Sequence, residues 1–388
     1  MRVAVFTDSY EPYVSGVVRS IQTFARELAA LGCETFIFAP AYPGHSRSSP
    51  GLFRFTSLPA PTHPEFRLAI PLSWRLGQTL RRLRCDLVHV HSPFLMGTLG
   101  ARYARRLGLP LVFTFHTFYH QYVHYAPLPR WLTEPLTTRW VRDFAARCDL
   151  VVAPSTAVAN YLRGLGVEVP VEVIPTGVDV QKFSSGRRGW LRERLGLGPE
   201  VPVALYAGRL GREKNLDLLL DAFRLVAERC PDCRLALAGD GPLRPHLEAR
   251  VADLGLGGRV HFLGAVPPEA MADCYAGADL FVFASTTETQ GLVVLEAMAA
   301  GLPVVAVAGP GVEDVVSSGS DGLLVPPAAP VMAEAVVRLL TDPARRQGMA
   351  AAARAKAAAY SAGAMAARLA AAYRRLLPAE PASRRRVG

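Results

Sequence analysis

Lysine is nearly missing from this chain of 388 residues: of 43 basic side chains only Lys182, Lys214 and Lys356 are lysines. A bias of that size reflects overall composition, so a lone arginine carries little functional weight and a retained lysine carries more. Long apolar runs are absent too. No stretch approaches the roughly 18 residues that mark a membrane-spanning helix. The N-terminus passes from Met1-Arg2 directly into Val3-Ala4-Val5-Phe6, without an apolar leader and small-residue cleavage site, which predicts a cytoplasmic protein. Six cysteines are too few for a disulfide framework. Cys230-Pro-Asp-Cys233 is the one CxxC, and no second pair at similar spacing completes a zinc site. The chain also lacks GxxxxGK[ST], which argues against P-loop ATP hydrolysis, and GxGxxG, which argues against a nicotinamide-dependent dehydrogenase. Its first strand runs instead into Thr7-Asp8-Ser9-Tyr10, and Gly239-Asp240-Gly241-Pro242-Leu243-Arg244 has no third glycine.

What is present is ordinary globular material, 50% apolar and 20% charged, in a chain longer than one core usually organises. A net charge of +10 permits nucleic acid or an anionic membrane as partner. The arginines are dispersed and no base-stacking platform accompanies them, so no nucleic-acid partner is expected. Salt-dependent oligonucleotide binding would revive that class.

Short runs rich in Val, Ile, Leu and Phe recur with helical stretches between them, as in βα units of a parallel sheet covered on both faces. In the first half they are Val3 to Phe6, Thr35 to Ala39, Leu87 to Val90, Leu111 to Phe115, Leu150 to Ala153 and Val171 to Ile174. A second series comprises Val203 to Ala207, Arg234 to Ala238, Val260 to Leu263, Leu280 to Ala284, Pro303 to Val307 and Gly322 to Val325. The pattern predicts an α/β protein of two doubly wound, Rossmann-like domains facing a cleft, with turn chemistry at Pro175-Thr176-Gly177-Val178-Asp179 between them. The expected division is 1–178, 179–362 and a C-terminal segment 363–388 that crosses back to the first domain and ends in a basic tail.

Ligands of open α/β sheets sit beyond the carboxyl ends of the strands. After Val203 to Ala207 comes Gly208-Arg209-Leu210-Gly211-Arg212-Glu213-Lys214-Asn215, where glycine allows close backbone approach and two cations sit before a helix, an arrangement suited to a diphosphate. A solvated basic turn is the bland alternative. After Leu280 to Ala284 comes Glu288-x7-Glu296, with Gly291-Leu292 at a helix start. Two carboxylates there can accept from sugar or ribose hydroxyls while helix amides receive phosphate oxygens. The competing reading is a first-turn acid on the helix dipole plus a surface glutamate.

The segment from Glu288 to Glu296, followed by Ala297-Met298-Ala299-Ala300-Gly301, is similar to the E-x7-E signature of retaining glycosyltransferase family 4, a group of GT-B architecture. Gly208-Arg209, Lys214, Gly239-Asp240-Gly241-Pro242 and Val14-Ser15-Gly16-Val17 resemble that family as well, in order and between the expected strands. The resemblance implies that the N-terminal domain binds the acceptor and the C-terminal domain a nucleotide diphosphate sugar. Arg209 and Lys214 would then hold the diphosphate, Glu288 the transferred sugar and Glu296 the ribose. Gly208, Gly241, Gly291 and Leu292 would line the same site. Gly16, in the loop after the first strand, would approach the diphosphate, and His116 would face acceptor and sugar. No Asp-x-Asp occurs, so a metal-independent enzyme without a cofactor is expected, its leaving group neutralised by Arg209, Lys214 and helix amides. UDP and GDP donors both remain open, with UDP-glucose favoured; a nucleotide-sugar epimerase could use much of the same donor site, and a covalent-lysine phosphorylase would need a cofactor lysine near the cleft.

Between Thr117 and Arg147 stand seven aromatics, Phe118, Tyr119, Tyr122, Tyr125, Trp131, Trp140 and Phe144, in a chain that is 9% aromatic. Arg130, Arg139, Arg142 and Arg147 accompany them. An aromatic and basic helix suits anionic lipid headgroups, although aromatics can equally fill a core. The run from His116 to Tyr125 looks like that of bacterial diacylglycerol glucosyltransferases. This resemblance implies a membrane lipid acceptor, contacted by Tyr119, Tyr122, Tyr125, Trp131, Arg139, Trp140 and Arg142, and a peripheral enzyme on the inner face of the cytoplasmic membrane. Phosphatidylinositol mannosyltransferases and enzymes acting on soluble sugars are the alternatives.

Overall fold

A computed structural model describes residues 1–45, 50–60, 63–72, 75–119 and 130–378. The chain divides into two units, Met1–Gly177 with Gly363–Gly388, and Val178–Ala362.

The first unit carries strands β1 (Arg2–Phe6), β2 (Glu34–Pro40), β3 (Leu52–Phe55), β4 (Ser57–Ala60), β5 (His63–Ala69), β6 (Leu87–Val90), β7 (Leu111–Thr114), β8 (Leu150–Ala153) and β9 (Val171–Val173). Seven of them form a parallel sheet in the order β3-β2-β1-β6-β7-β8-β9, while β4 and β5 pair as a separate antiparallel hairpin. The apolar runs predict six of these strands and miss β3 and the hairpin. Strand β3 pairs on one side only, with β2, and its four residues Leu-Phe-Arg-Phe, broken by an arginine, are too short a run to stand out.

Alternation sorts each strand between two cores. Ala4, Phe6, Val88, Val90, Phe113 and Val151 enter one, and Val3, Val5, Leu87, Val112, Leu150 and Val152 the other. Helix Gly16–Ala30 covers the second core with Val18, Ile21, Phe24 and Leu28, a spacing that keeps one stripe inward, and Ser15 Oγ caps it by accepting from Val18 N at 3.3 Å. The C-terminal helix Ala362–Leu376 adds Met365, Ala366, Leu369 and Tyr373 to this core.

The second unit contains β10 (Val203–Ala207), β11 (Arg234–Ala238), β12 (Val260–Gly264), β13 (Leu280–Phe283), β14 (Val304–Val307) and β15 (Gly322–Val325), all parallel in the order β12-β11-β10-β13-β14-β15. All six were legible as apolar runs. Strand order reverses between β1 and β6 in the first sheet and between β10 and β13 in the second, the switch points where such sheets bind ligands.

One device recurs at the opposite, amino ends. Asp86, Asp149 and Asp279 each precede a strand and accept the first amide of its neighbour, from Arg2 at 2.7 Å, Leu111 at 2.7 Å and Val203 at 2.9 Å. An amide that would otherwise lack a ladder partner is satisfied, which pins the register at both switch points.

Candidate active site

In the second unit both loops leaving the switch point carry predicted residues. Gly208 has φ +151°, and a Cβ there would meet Tyr206 Oη at 2.9 Å. Only glycine lets the chain fold over this buried phenol, which donates to the Arg209 carbonyl at 3.0 Å. Burial, then the nearby Glu288 and Glu213, hold the Tyr206 phenol well above its usual range, so it stays a neutral donor. Lys214 ends a short 3-10 turn, Arg212–Lys214, that leads into helix Leu216–Arg229.

The loop after β13 is tied to this turn. Ser285 and Thr287 hydroxyls donate to the Glu213 carbonyl at 3.1 and 3.4 Å, and the Lys214 ammonium donates to the Glu288 carboxylate. Their side chains are 18% and 20% exposed, so this ion pair is largely shielded from water. Lys214 and Glu288, read from the sequence as a phosphate ligand and a sugar ligand, are thus one bonded unit. An ammonium has three donors, and the pair with Glu288 takes one of them.

Gly291 (φ +69°) turns the chain into helix Leu292–Ala299, where no side chain of the cap residue receives the first amides. Gly311, in the turn after β14, packs beneath: a Cβ on it would lie 2.4 Å from Gln290 N and 2.6 Å from Glu288 O. Glu296 is buried, not a surface acid, and accepts from the Tyr275 hydroxyl at 2.9 Å. At Gly241 a Cβ would sit 2.5 Å from Leu210 O, so the missing side chain there serves the nesting of two loops.

In the first unit Gly16 is the first residue of its helix rather than a loop residue, because Ser15 caps the helix one position earlier; a Cβ on Gly16 would meet nothing within 4 Å. His116 lies two residues past β7. Its Nε2 is 2.8 Å from Nδ1 of His91, which lies just beyond β6. His91 in turn stacks near His89, with centroids 4.3 Å apart, and His89 bonds Tyr373 Oη through Nδ1 and Thr114 Oγ1 through Nε2, each at 2.6 Å. Burial lowers all three imidazoles, His89 to about 3 and His116 to about 4, and at His91 the neighbouring His89 and His116 add to it. Beside them burial raises the Asp8 carboxyl, which accepts from Ser92 Oγ and, at 2.9 Å, from Met96 N.

None of Asp8, His89, His91, Tyr206, Tyr275 or Gly311 was singled out by the motifs. His89 and His91 did carry a signal: residues two apart along an extended chain share a face, and His116 follows the neighbouring strand β7.

The aromatic segment divides. Phe118 and Phe144 are core, and Tyr119 packs edge-on against Phe115 and Phe94 at 5.5 and 5.0 Å, a departure from the expected surface role. Tyr122 and Tyr125 lie outside the described residues. Helix Arg130–Ala145 exposes Trp131 (77%), Leu136 (57%) and Trp140 (47%). Trp140 still donates Nε1 to Pro93 O at 2.8 Å, and Arg139 and Arg142 pair with Asp143 at 3.7 and 2.8 Å. Among the described residues no helix is long and apolar enough to cross a membrane, and no three His, Cys, Asp or Glu are grouped to hold a metal ion.

Two parallel sheets, each with polar loops at its switch point, match a known class. Residues 14–182 match the model of Glycosyltransferase Family 4, and residues 190–356 that of Glycosyl transferases group 1. The chain is 34% identical over 330 residues to the alpha-monoglucosyldiacylglycerol synthase of Streptococcus pneumoniae, covering 84% of this chain and 75% of that protein. It is 32% identical over 332 residues to a GDP-mannose-dependent alpha-mannosyltransferase of Mycobacterium tuberculosis, covering 84% of each. Sucrose-phosphate synthase from Thermosynechococcus elongatus superposes with a TM-score of 0.80 at 25% identity, over 97% of this chain and 98% of that one. The chain belongs to glycosyltransferase family 4, as a hexosyltransferase of GT-B fold that takes its sugar from a nucleotide-sugar donor.

Proposed function

We propose that the enzyme moves glucose from UDP-glucose to a diacylglycerol-type membrane lipid, with retention of the anomeric configuration and without a metal ion. The observation that carries this reading is the similarity to the Streptococcus pneumoniae synthase, whose name states a glucosyl donor group, a diacylglycerol acceptor and an alpha product. Arg209, Lys214 and the amides at Gly291 and Leu292 neutralise the departing diphosphate; fixed charges and dipoles aimed at developing negative charge are worth most in a site shielded from water. Glu288 holds the transferred sugar and Glu296 the ribose. His116, neutral and half-buried, faces the acceptor hydroxyl. Trp131, Leu136 and Trp140, with Arg139 and Arg142 beside them, seat the protein peripherally on the anionic inner face of the cytoplasmic membrane. Similarity to the mannosyltransferase favours a second reading, with GDP-mannose as donor.

The test is a panel of UDP- and GDP-sugars against diacylglycerol in vesicles and against soluble sugars, with product anomer read by NMR, in buffer and in EDTA. Expected are an alpha-glucosyl lipid from UDP-glucose and unchanged rates in EDTA. Loss of activity in EDTA, restored by magnesium or manganese, overturns the metal-independent reading. Turnover on soluble sugars alone, with no flotation on anionic vesicles, overturns the lipid reading.

A further inference from the structure

Glu296 does not set its own geometry. It lies on helix Leu292–Ala299, is buried, and accepts at 2.9 Å from the hydroxyl of Tyr275 on helix Met271–Ala276. That ring is fully buried and pinned by Phe183, edge-on at 5.6 Å, and by Phe281 at 5.8 Å. The same hydroxyl lies 3.4 Å from the Val293 carbonyl in the first turn of the helix that carries Glu296. A phenol with so little rotational freedom fixes both the rotamer of the carboxylate and the helix turn before it. A carboxylate has about four acceptor positions, and the Tyr275 hydroxyl takes one of them.

We propose that Tyr275 is a positioning residue for nucleotide recognition, holding the Glu296 carboxylate in the one orientation that receives both ribose hydroxyls. This rests on the reading that Glu296 binds the ribose. Tyr275 itself touches no substrate. Its effect therefore appears only with a ligand that has the hydroxyls, which separates positioning from a general packing role.

The experiment is calorimetric titration of the full chain with UDP and GDP, and with the 2′,3′-dideoxy analogue of whichever binds, for the wild type, Tyr275→Phe and Glu296→Gln. Losing the hydrogen bond that orients Glu296 is expected to weaken ribonucleotide binding about tenfold in Tyr275→Phe. The dideoxynucleotide is expected to bind wild type and Tyr275→Phe alike. Equal weakening of both nucleotides in Tyr275→Phe overturns the proposal, since the residue is then only structural. If Glu296→Gln loses affinity for the ribonucleotide while Tyr275→Phe does not, the positioning role falls and the ribose reading stands. If Glu296→Gln binds as the wild type does, the ribose reading fails and takes the proposal with it. Should Phe at 275 prevent folding, Tyr275→Met fills the same apolar space without a hydroxyl and is read against the same outcomes.

Discussion

At the switch point of the second unit stand an ion pair, Lys214 bonded to Glu288, the exposed Arg209 on a loop held by Tyr206, and the buried Glu296 side chain. The switch point of the first unit is furnished with imidazoles and hydroxyls, His89, His91, His116, Thr114 and Ser92, whose surroundings keep the rings uncharged. The Lys214–Glu288 pair is largely shielded from water, as are His89 and His91, so between these the contrast is one of chemistry and not of exposure. A diphosphate brings negative charge that fixed cations must meet. An acceptor hydroxyl brings none, and a buried charge beside it would cost free energy without a partner. On the proposed assignment of a donor and an acceptor side, each is furnished according to the charge of what it would handle.

The contrast breaks most readily at the charged edge. Lys214→Ala is expected to lower kcat/KM more than tenfold, about 2–4 kcal/mol, because it removes a donor to the leaving group and strands Glu288 in a shielded site. Arg209→Ala should act in the same range. Near-wild-type kinetics in both variants would place the phosphates elsewhere.

The uncharged edge predicts a pH effect on stability. The His89 and His116 rings have folded-state values of about 3 and about 4, and His91 lies well below the ordinary 6.5. The unfolded chain therefore binds protons that the folded unit refuses. Stability from the neutral rings is complete above pH 6.5 and is lost as pH falls through the window from 6.5 towards 4. At about pH 5 the loss is about 2 kcal/mol for each of His89 and His116. Asp8 works in the opposite sense, since a raised carboxyl stabilises the fold when protonated and loses that contribution as pH rises, but it is one group against three. Melting at about pH 5 should come several degrees below melting at about pH 7.5, and His89→Gln, which does not titrate, should narrow the gap. Equal melting temperatures at the two pH values would mean the imidazoles are hydrated.

The two edges were not equally legible in the sequence. Both sheets could be read from apolar runs, because strands buried on both faces need continuous Val, Ile, Leu and Phe. The charged edge was legible because its parts are local: Arg209 to Lys214 lie in one turn, and Glu288 to Glu296 span one loop and one helix. Its supports were not, since Tyr206 and Tyr275 look like ordinary core aromatics until their hydroxyls are traced to Arg209 O and Glu296 Oε2. The imidazole cluster joins residues from β6, from beyond β7 and, through Tyr373, from the C-terminal helix, 284 positions from His89. Only strand order brings these together.

Within the charged edge a finer comparison separates the two glutamates. Glu288 is bonded to Lys214 and, on the donor reading, to the sugar that moves, so its contacts change as the glycosidic bond breaks. Glu296 is bonded to Tyr275 and, on the same reading, to a ribose that stays still. An interaction that strengthens in the transition state raises kcat, whereas one equal in ground and transition states lowers KM alone. Glutamine keeps an acceptor for Lys214 or Tyr275 in either variant and removes only the charge and one acceptor oxygen, so folding should survive. Glu288→Gln is accordingly expected to lower kcat about tenfold with donor KM little changed, and Glu296→Gln to raise donor KM about tenfold with kcat little changed. Initial-rate kinetics against donor concentration measure both. The same signature in the two variants would show that the carboxylates act as one unit, and the division of the donor site into a reacting half and a holding half would have to be abandoned.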